Sequence, residues 1–199
     1  MNRKNLRSLA AGVALLLAVG ALAGCGGEKK ADDSKKMVTV GIAQLVEHGA
    51  LDAANKGFVA GMASKGFKEN ENVKYDRQNA QADQSNLQNI AQRFVSNKVD
   101  LICAIATPTA QTMANATKDI PIVATAVTDY EVAKLAASNN EPKGNVTGTS
   151  DMNPIDQQLE LLLKIAPQTK NIGTVYSSSE VNSQLQVDVL KKLAGAKGI

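Results

Sequence analysis

The chain has 199 residues with 22 Lys and Arg, 19 Asp and Glu, one His, two Cys and no Trp. Three of the basic residues lie among the first seven, and the balance of charge in the rest leaves no electrostatic footprint for nucleic acid. A single histidine excludes multi-histidine zinc sites and leaves a serine or cysteine triad only one possible base. We therefore expect no metal and no cofactor.

The first 24 residues have the pattern of a signal peptide, because three basic residues precede an uncharged run rich in Ala, Leu and Val from Leu9 to Gly24. That run is shorter than the roughly 18 to 20 residues that a permanent transmembrane helix needs. It ends in the sequence LAGC, which resembles the lipobox of bacterial lipoproteins. We predict lipidation at Cys25, a flexible tether over residues 25–36 and an anchor on the outer side of the membrane. The alternative for Cys25 is an ordinary thiol after a simple cleavage site.

From Met37 onward, short runs rich in Val and Ile alternate with helical patterns, which is typical of βαβ units around a parallel sheet. The apolar run LICAIA lacks polar alternation and indicates a central strand covered on both faces. The predicted strands are residues 38–45, 73–79, 99–106, 122–127, 146–149 and 172–176.

Apolar residues recur at helical spacing in three further segments. One helix is predicted between Leu51 and Met62, with Gly66 as its stop signal and with Gly57 and Gly61 marking close packing on the sheet. A second follows a cap at Asp83 or Ser85, and a third begins at Pro154 and ends before Pro167. The predicted inward-facing residues of the second and third helices are Leu87, Ile90, Ala91, Phe94, Val95, Ile155, Leu159, Leu162, Leu163 and Ala166.

The segment 141–154 is the densest cluster of turn-forming residues after the tether, and we predict that it crosses between two lobes. Residues 37–150 contain enough strands and helices for a complete N-terminal α/β lobe. Residues 151–199 offer only one strand and two helices. Because a lone strand has no sheet to join, we expect these residues to be the start of a second α/β lobe that is incomplete in this chain.

Six stretches of the chain carry a resemblance to a known family: VGIAQLVEHGALDAANKGF, YDRQNAQADQSNLQNIAQRFVSNKVDLICAIATPTAQ, DIPIVATAVTD, GNVTGTSD, LELLLKIAP and NIGTVYSSSEVNS. These stretches resemble the ABC transporter substrate-binding lipoproteins of the tryptophan and tyrosine type. The resemblance implies an α/β fold of the type I periplasmic-binding-protein kind, with two doubly wound parallel-sheet lobes that close on a small ligand. It further implies a protein without catalytic activity that delivers an amino acid, in particular an aromatic one, to an ABC permease and ATPase.

Ligands of open α/β sheets bind outside the carboxyl ends of the strands, so polar residues that follow each strand are the candidates for a binding site. The first, third, fourth and sixth predicted strands each supply such residues. The candidates are Gln44, Glu47, His48, Thr107, Thr128, Asp129, Tyr130, Ser178, Asn182 and Ser183.

Each candidate has a binding interpretation and a structural alternative. Glu47 and Asp129 could pair with an ammonium group, with a solvated loop acid and a turn residue as their alternatives. Thr107 and the serines near residue 180 could bind a carboxylate at a helix N-terminus, or simply cap that helix. His48 could contact the ligand or bond to backbone, and Tyr130 is expected to place its ring at the mouth of the cleft.

Two other functions stay open at this level. One is an extracytoplasmic α/β hydrolase with a serine nucleophile from the sequence SSSEVNS, although the GxSxG turn of such enzymes is absent. The other is a receptor lobe that reports its ligand to a membrane sensor.

Overall fold

A computed structural model of the protein describes residues 37–142 and 144–199. The predicted signal peptide, the tether and Cys25 lie outside these residues. Within the described part of the chain, none of the helices combines the length and the apolar character needed to cross a bilayer.

The described chain contains the strands β1 Val38–Gln44, β2 Val73–Asn79, β3 Leu101–Ile105, β4 Ile122–Val127, β5 Ala136–Ser138, β6 Glu141–Pro142 and β7 Val146–Ser150. Five of them form a parallel sheet in the order β2-β1-β3-β4-β7, which is the centre of the described chain. The first five predicted strands are confirmed to within two residues at each end. Strands β5 and β6 form a small antiparallel pair that was not predicted.

Three helices flank this sheet: α1 (Gly49–Ser64), α2 (Gln84–Ser96) and α3 (Thr107–Ala116). The predicted cap of α2 is confirmed, because Asp83 Oδ1 accepts a hydrogen bond of 2.7 Å from the backbone N–H of Asn86. Gly66 follows α1 with a φ of +89°, a left-handed conformation that glycine adopts readily and that ends helices. We call the strands β1–β7 with these helices the sheet module (residues 37–150).

The core lies on both faces of the sheet. Helices α2 and α3 cover one face, where Leu87, Ile90, Ala91 and Phe94 are buried as predicted. Helix α1 covers part of the other face with half-buried apolar side chains. In β3, Ile102 and Ala104 belong to the first cluster and Cys103 and Ile105 to the second, which confirms the predicted central strand. Burial raises the pKa of the Cys103 thiol to about 12, so this group is an inert apolar side chain.

The interpretation of Gly57 and Gly61 as close-packing positions is wrong. Both lie on exposed positions of α1, and a Cβ atom built on either one meets no other atom within 4 Å. Gly57 lines an open pocket together with Cys103 and Val123 of the sheet, so there is free space beside it and no close backbone approach requires a glycine at either position.

Residues 151–199, which we call the helical module, contain α4 (Ile155–Ile165) and α5 (Val181–Gly195), which pack on each other. The predicted strand at 172–176 is not formed, because no neighbouring strand in the described chain offers it hydrogen-bond partners. For the same reason only Leu159 of the predicted inward face of α4 is buried, and Val175 is fully exposed at 102 %. The apolar face of α4 would be buried only if a sheet covered it.

Candidate functional site

The carboxyl ends of β1, β3 and β4 lie side by side at one edge of the sheet. Gln44 at the end of β1 is paired in register with Ile105, and Ile105 is paired with Thr125. The residues that follow these strands therefore line one common rim, which we call the ligand rim. Its members among the predicted residues are Gln44, Glu47, His48, Thr107, Thr128, Asp129 and Tyr130.

Gln44 is buried, and its amide is occupied by protein partners. Its Nε2 donates hydrogen bonds to Asp52 Oδ1 at 2.6 Å and to the carbonyl of Val46 at 2.9 Å. Its Oε1 accepts a bond of 3.2 Å from Asn55 Nδ2. These bonds join the end of β1 to the first turns of α1, so Gln44 shapes the ligand rim and offers no free group to a ligand.

His48 and Glu47 lie in the loop between β1 and α1, and both are exposed. His48 is the N-cap of α1, where its Nδ1 accepts a hydrogen bond of 3.3 Å from the backbone N–H of Ala50. This is the backbone-bonded alternative considered for His48. Glu47 makes no hydrogen bond or ion pair within the described residues and faces a groove of about 440 Å³ that Lys56 and Arg77 also line.

Two buried hydroxyls without partners mark the start of α3. Thr107 is its first residue and is 2 % exposed, and Thr109 is 0 % exposed. Within the described residues, neither Oγ1 atom has a hydrogen-bond partner. A buried hydroxyl without a partner is unfavourable, so such groups call for a bound molecule or water.

The backbone at this point also favours an anion. Ala106 precedes α3 with a φ of +89°, a strained conformation for a residue with a Cβ atom. The unpaired N–H groups of the first helical turn attract negative charge. Thr109 was missed in the sequence, and its signal was the second threonine of the run TPTA directly after a buried strand.

Asp129 follows β4 and is engaged in the turn that it begins. Its Oδ1 accepts a bond of 2.8 Å from the N–H of Val132, and its Oδ2 accepts one of 2.8 Å from Asn139 Nδ2. This is the turn-forming alternative. Thr128 is buried, and its carbonyl accepts a bond of 2.7 Å from Ser150 Oγ, which ties the end of β4 to the end of β7.

Tyr130 does not place its ring at the mouth of a cleft, which corrects the prediction for this residue. The side chain is 6 % exposed and belongs to the apolar core. Its hydroxyl lies 3.0 Å from the carbonyl oxygen of Ala124 and 3.1 Å from that of Thr149. Burial, reinforced by the charge of Asp151, raises the pKa of Tyr130 to about 12, so the phenol keeps its proton and donates it.

The candidates of the helical module lie around the start of α5. Ser178 is exposed, whereas Ser183 lines a pocket of about 450 Å³ between α4, α5 and residues 172–176. Asn182 Nδ2 donates to Glu180 Oε2 at 3.3 Å, and Asn182 Oδ1 is buried with no partner within the described residues. No side chain caps α5, whose N-cap residue is Glu180. The capping alternative for these residues is therefore not realised.

The described chain has an α/β fold with polar groups along the carboxyl edge of a parallel sheet, and the comparisons with known proteins identify its family. The family described as ABC transporter substrate binding protein matches residues 39–199. The chain therefore belongs to the ABC transporter substrate-binding proteins, which bind ligands and are not enzymes. The hydrolase interpretation is not supported, and the fold is of the type I periplasmic-binding-protein kind.

Three relatives are informative. A tyrosine-binding protein of Clostridioides difficile is 50 % identical over 201 residues, which cover 97 % of this chain and 57 % of the relative. An ABC domain from Streptococcus pneumonia in complex with L-Trp is 43 % identical with a TM-score of 0.79 and is matched over 82 % of this chain and 55 % of its own. A ligand-free, open substrate-binding protein with adhesive properties from Clostridium difficile is 52 % identical with a TM-score of 0.68, over the same shares of the two chains.

Two further facts follow from these matches. The chain spans a little over half the length of each of these three relatives. The two solved structures also rank in opposite orders by identity and by TM-score, so the chain is closer in backbone arrangement to the L-Trp complex although it is closer in sequence to the open protein.

Proposed function

We propose that this protein captures an amino acid with an aromatic side chain outside the cytoplasm and delivers it to an ABC importer. The observation that carries the proposal is the pair of buried, unpartnered hydroxyls of Thr107 and Thr109 at the start of α3, on the ligand rim. The names of two relatives, a tyrosine-binding protein and a domain in complex with L-Trp, support the choice of ligand class.

In this proposal the ligand carboxylate lies at the N-terminus of α3. There it accepts hydrogen bonds from the Thr107 hydroxyl and from the free backbone N–H groups of the first turn. The ammonium group pairs with Glu47, an acid of the ligand rim with no partner within the described residues. Asp129 is less suited to that role, because both of its oxygens already accept hydrogen bonds from the turn.

The second side of the binding site comes from the helical module. Ser183 and the orphaned Oδ1 of Asn182 are the groups we assign to it, with Ser178 as a solvent-facing neighbour. Residues 37–150 form the N-terminal lobe and residues 151–199 begin the second lobe. Ligand contacts made by both lobes stabilise the closed arrangement, which is all that capture by a hinged protein requires.

The location of the protein follows from its N-terminal residues. Residues 1–24 act as the signal peptide, Cys25 carries the lipid and residues 25–36 tether the binding domain to the outer face of the membrane. Such an anchor keeps the loaded protein within reach of its permease and ATPase partners. Membrane fractionation of the full chain and of Cys25→Ser tests this part, with the protein of the variant expected in the soluble fraction.

The binding proposal is tested by calorimetric titration of the mature protein with each amino acid. L-Tyr and L-Trp are expected to give heat, and Thr107→Val is expected to weaken their binding about tenfold or more, because a hydrogen bond to a charged group is lost. Since the hydroxyl has no partner in the free protein, the variant is expected to melt no lower than the parent.

Thr147→Val serves as the matched control, because Thr147 is exposed on β7 away from the ligand rim, and it is expected to leave binding unchanged. If none of the amino acids gives heat or a shift in melting temperature, the proposed ligand class is wrong.

A further inference from the structure

The pairing of β4 with β7 is interrupted near the point where the chain leaves the sheet module. The register between the two strands shifts between Ala124 and Val127, and Ala126 has a φ of +54°. A bulge of this kind leaves part of the hydrogen-bond ladder open. The hydroxyl of Tyr130 occupies this opening, within 3.1 Å of a carbonyl oxygen of each strand, that of Ala124 on β4 and that of Thr149 on β7.

Gly148 makes room for this hydroxyl. A Cβ atom at position 148 would lie 2.2 Å from the hydroxyl oxygen of Tyr130 and 1.9 Å from the carbonyl oxygen of Ala124. Both distances are far below van der Waals contact. The missing side chain of Gly148 and the buried phenol of Tyr130 are thus complementary, and together they hold β7 against β4.

Hydrogen bonds to the sheet module continue as far as Asp151. The N–H of Asp151 donates to the carbonyl of Val127 at 3.1 Å, and Ser150 Oγ donates to the carbonyl of Thr128 at 2.7 Å. Up to Asp151, the chain that leaves β7 is therefore hydrogen-bonded to the C-terminal end of β4 or to the residue that follows it.

Hydrogen bonds to the helical module begin at Asn153. Its Nδ2 donates to Oε1 of Gln186 on α5 at 2.8 Å, and its carbonyl accepts from the N–H of Ile155 at the start of α4 at 2.9 Å. Met152 lies between the two sets and is 40 % exposed, and its only hydrogen bond to another described residue is local, from its N–H to Ser150 Oγ. Met152 is the residue at which attachment changes from one module to the other.

We propose that Tyr130 is a positioning residue for ligand capture. Its hydroxyl holds β7 against β4, an interaction that we call the Tyr130 clasp, and so confines bending between the sheet module and the helical module to Met152. This inference rests on the proposed function, because it explains how groups of the two modules return to one geometry around the ligand. Tyr130 would then affect ligand binding from the core, without contact between its side chain and the ligand. A loose β7 would spread the bend over several residues and lower the population of the binding geometry.

The clasp is tested by hydrogen exchange of the ligand-free full chain, followed by mass spectrometry. Tyr130→Phe keeps the buried ring and removes the hydroxyl, and we expect exchange over residues 148–151 to become about tenfold faster. Exchange of β1 and β3 is expected to stay as in the parent. Unchanged exchange over residues 148–151 would contradict the proposal, because the hydroxyl would then not hold β7. Equally faster exchange of all strands would also contradict it, because the hydroxyl would then stabilise the whole fold and not this strand pair.

Tyr75→Phe is the matched control. Tyr75 is also buried, but its hydroxyl has no hydrogen-bond partner within the described residues, so its removal is expected to leave exchange over residues 148–151 unchanged. Ser150→Ala is a second variant that leaves the core intact. It removes the bond to Thr128 and is expected to speed exchange only at residues 150–152.

Titration with L-Trp tests whether the Tyr130 clasp affects ligand binding. Tyr130→Phe is expected to weaken binding several-fold, whereas Tyr75→Phe is expected to leave it unchanged. Equal affinity of the parent and Tyr130→Phe would overturn the positioning role. Failure of the parent to bind any amino acid would overturn the proposed function instead, and the exchange experiment, which needs no ligand, would still decide whether the clasp exists.

Discussion

Replacing Gly148 with alanine is expected to lower the free energy of unfolding by about 3 kcal/mol or more. The added methyl group would lie 1.9 Å from a backbone carbonyl oxygen and 2.2 Å from the Tyr130 hydroxyl. A flexible side chain can move away from a new neighbour, but the carbonyl of Ala124 is fixed by its strand. Relief therefore requires β7 to separate from β4. Urea unfolding followed by circular dichroism measures the change.

Gly57→Ala is the control for this substitution. Gly57 lies within α1 on an exposed position, where a new Cβ atom meets nothing within 4 Å. Alanine is preferred over glycine in a helix by roughly 0.8 to 1 kcal/mol, so the control is expected to be more stable than the parent. An unfolding midpoint of Gly148→Ala equal to that of the parent would show that the strand contact is looser than described.

Replacing Phe94 with alanine is expected to lower the free energy of unfolding by about 3 to 5 kcal/mol, the usual cost of removing a buried ring. Phe94 is fully buried, and its ring lies directly against Gly41 of β1, where a Cβ atom would come within 2.7 Å of the ring. The cavity would open between α2 and the sheet. Because the site residues follow strands of this sheet, we expect the variant to unfold, and so to lose ligand binding, at a lower temperature than the parent.

Phe67→Ala is the matched control, because Phe67 follows α1 and is 37 % exposed. Removal of a partly exposed ring loses little buried apolar area, and the loss of stability is expected to be below about 1 kcal/mol. Similar unfolding midpoints for the two phenylalanine variants would mean that Phe94 does not anchor α2 on the sheet.

The ligand rim contains two kinds of residue that sequence alone does not separate. Gln44, His48 and Asp129 have their polar atoms bonded to nearby protein groups, so they shape loops at the strand ends. Thr107 and Glu47 have polar atoms without protein partners in the described chain. Free hydrogen-bonding capacity at a sheet edge is what a ligand can use, which is why the binding proposal depends on the second kind.

The sequence by itself determined the alternation of strands and helices, the central position of β3 and the buried face of α2. These features follow from periodicity and local capping, which depend on residues close together in the chain. The position of the ligand rim also followed, because parallel strands joined by helices must place their carboxyl ends at one edge.

Only the tertiary structure decided the roles of Gly148 and Tyr130 and the failure of residues 172–176 to form a strand. Gly148 is required because the carbonyl of Ala124 and the hydroxyl of Tyr130, distant in the chain, occupy the space of its side chain. Residues 172–176 have strand composition, but the part of the chain that the structure describes offers them no neighbouring strand to complete a ladder. Both outcomes depend on which distant groups meet in space, and a strand or a close contact exists only when its partner is there.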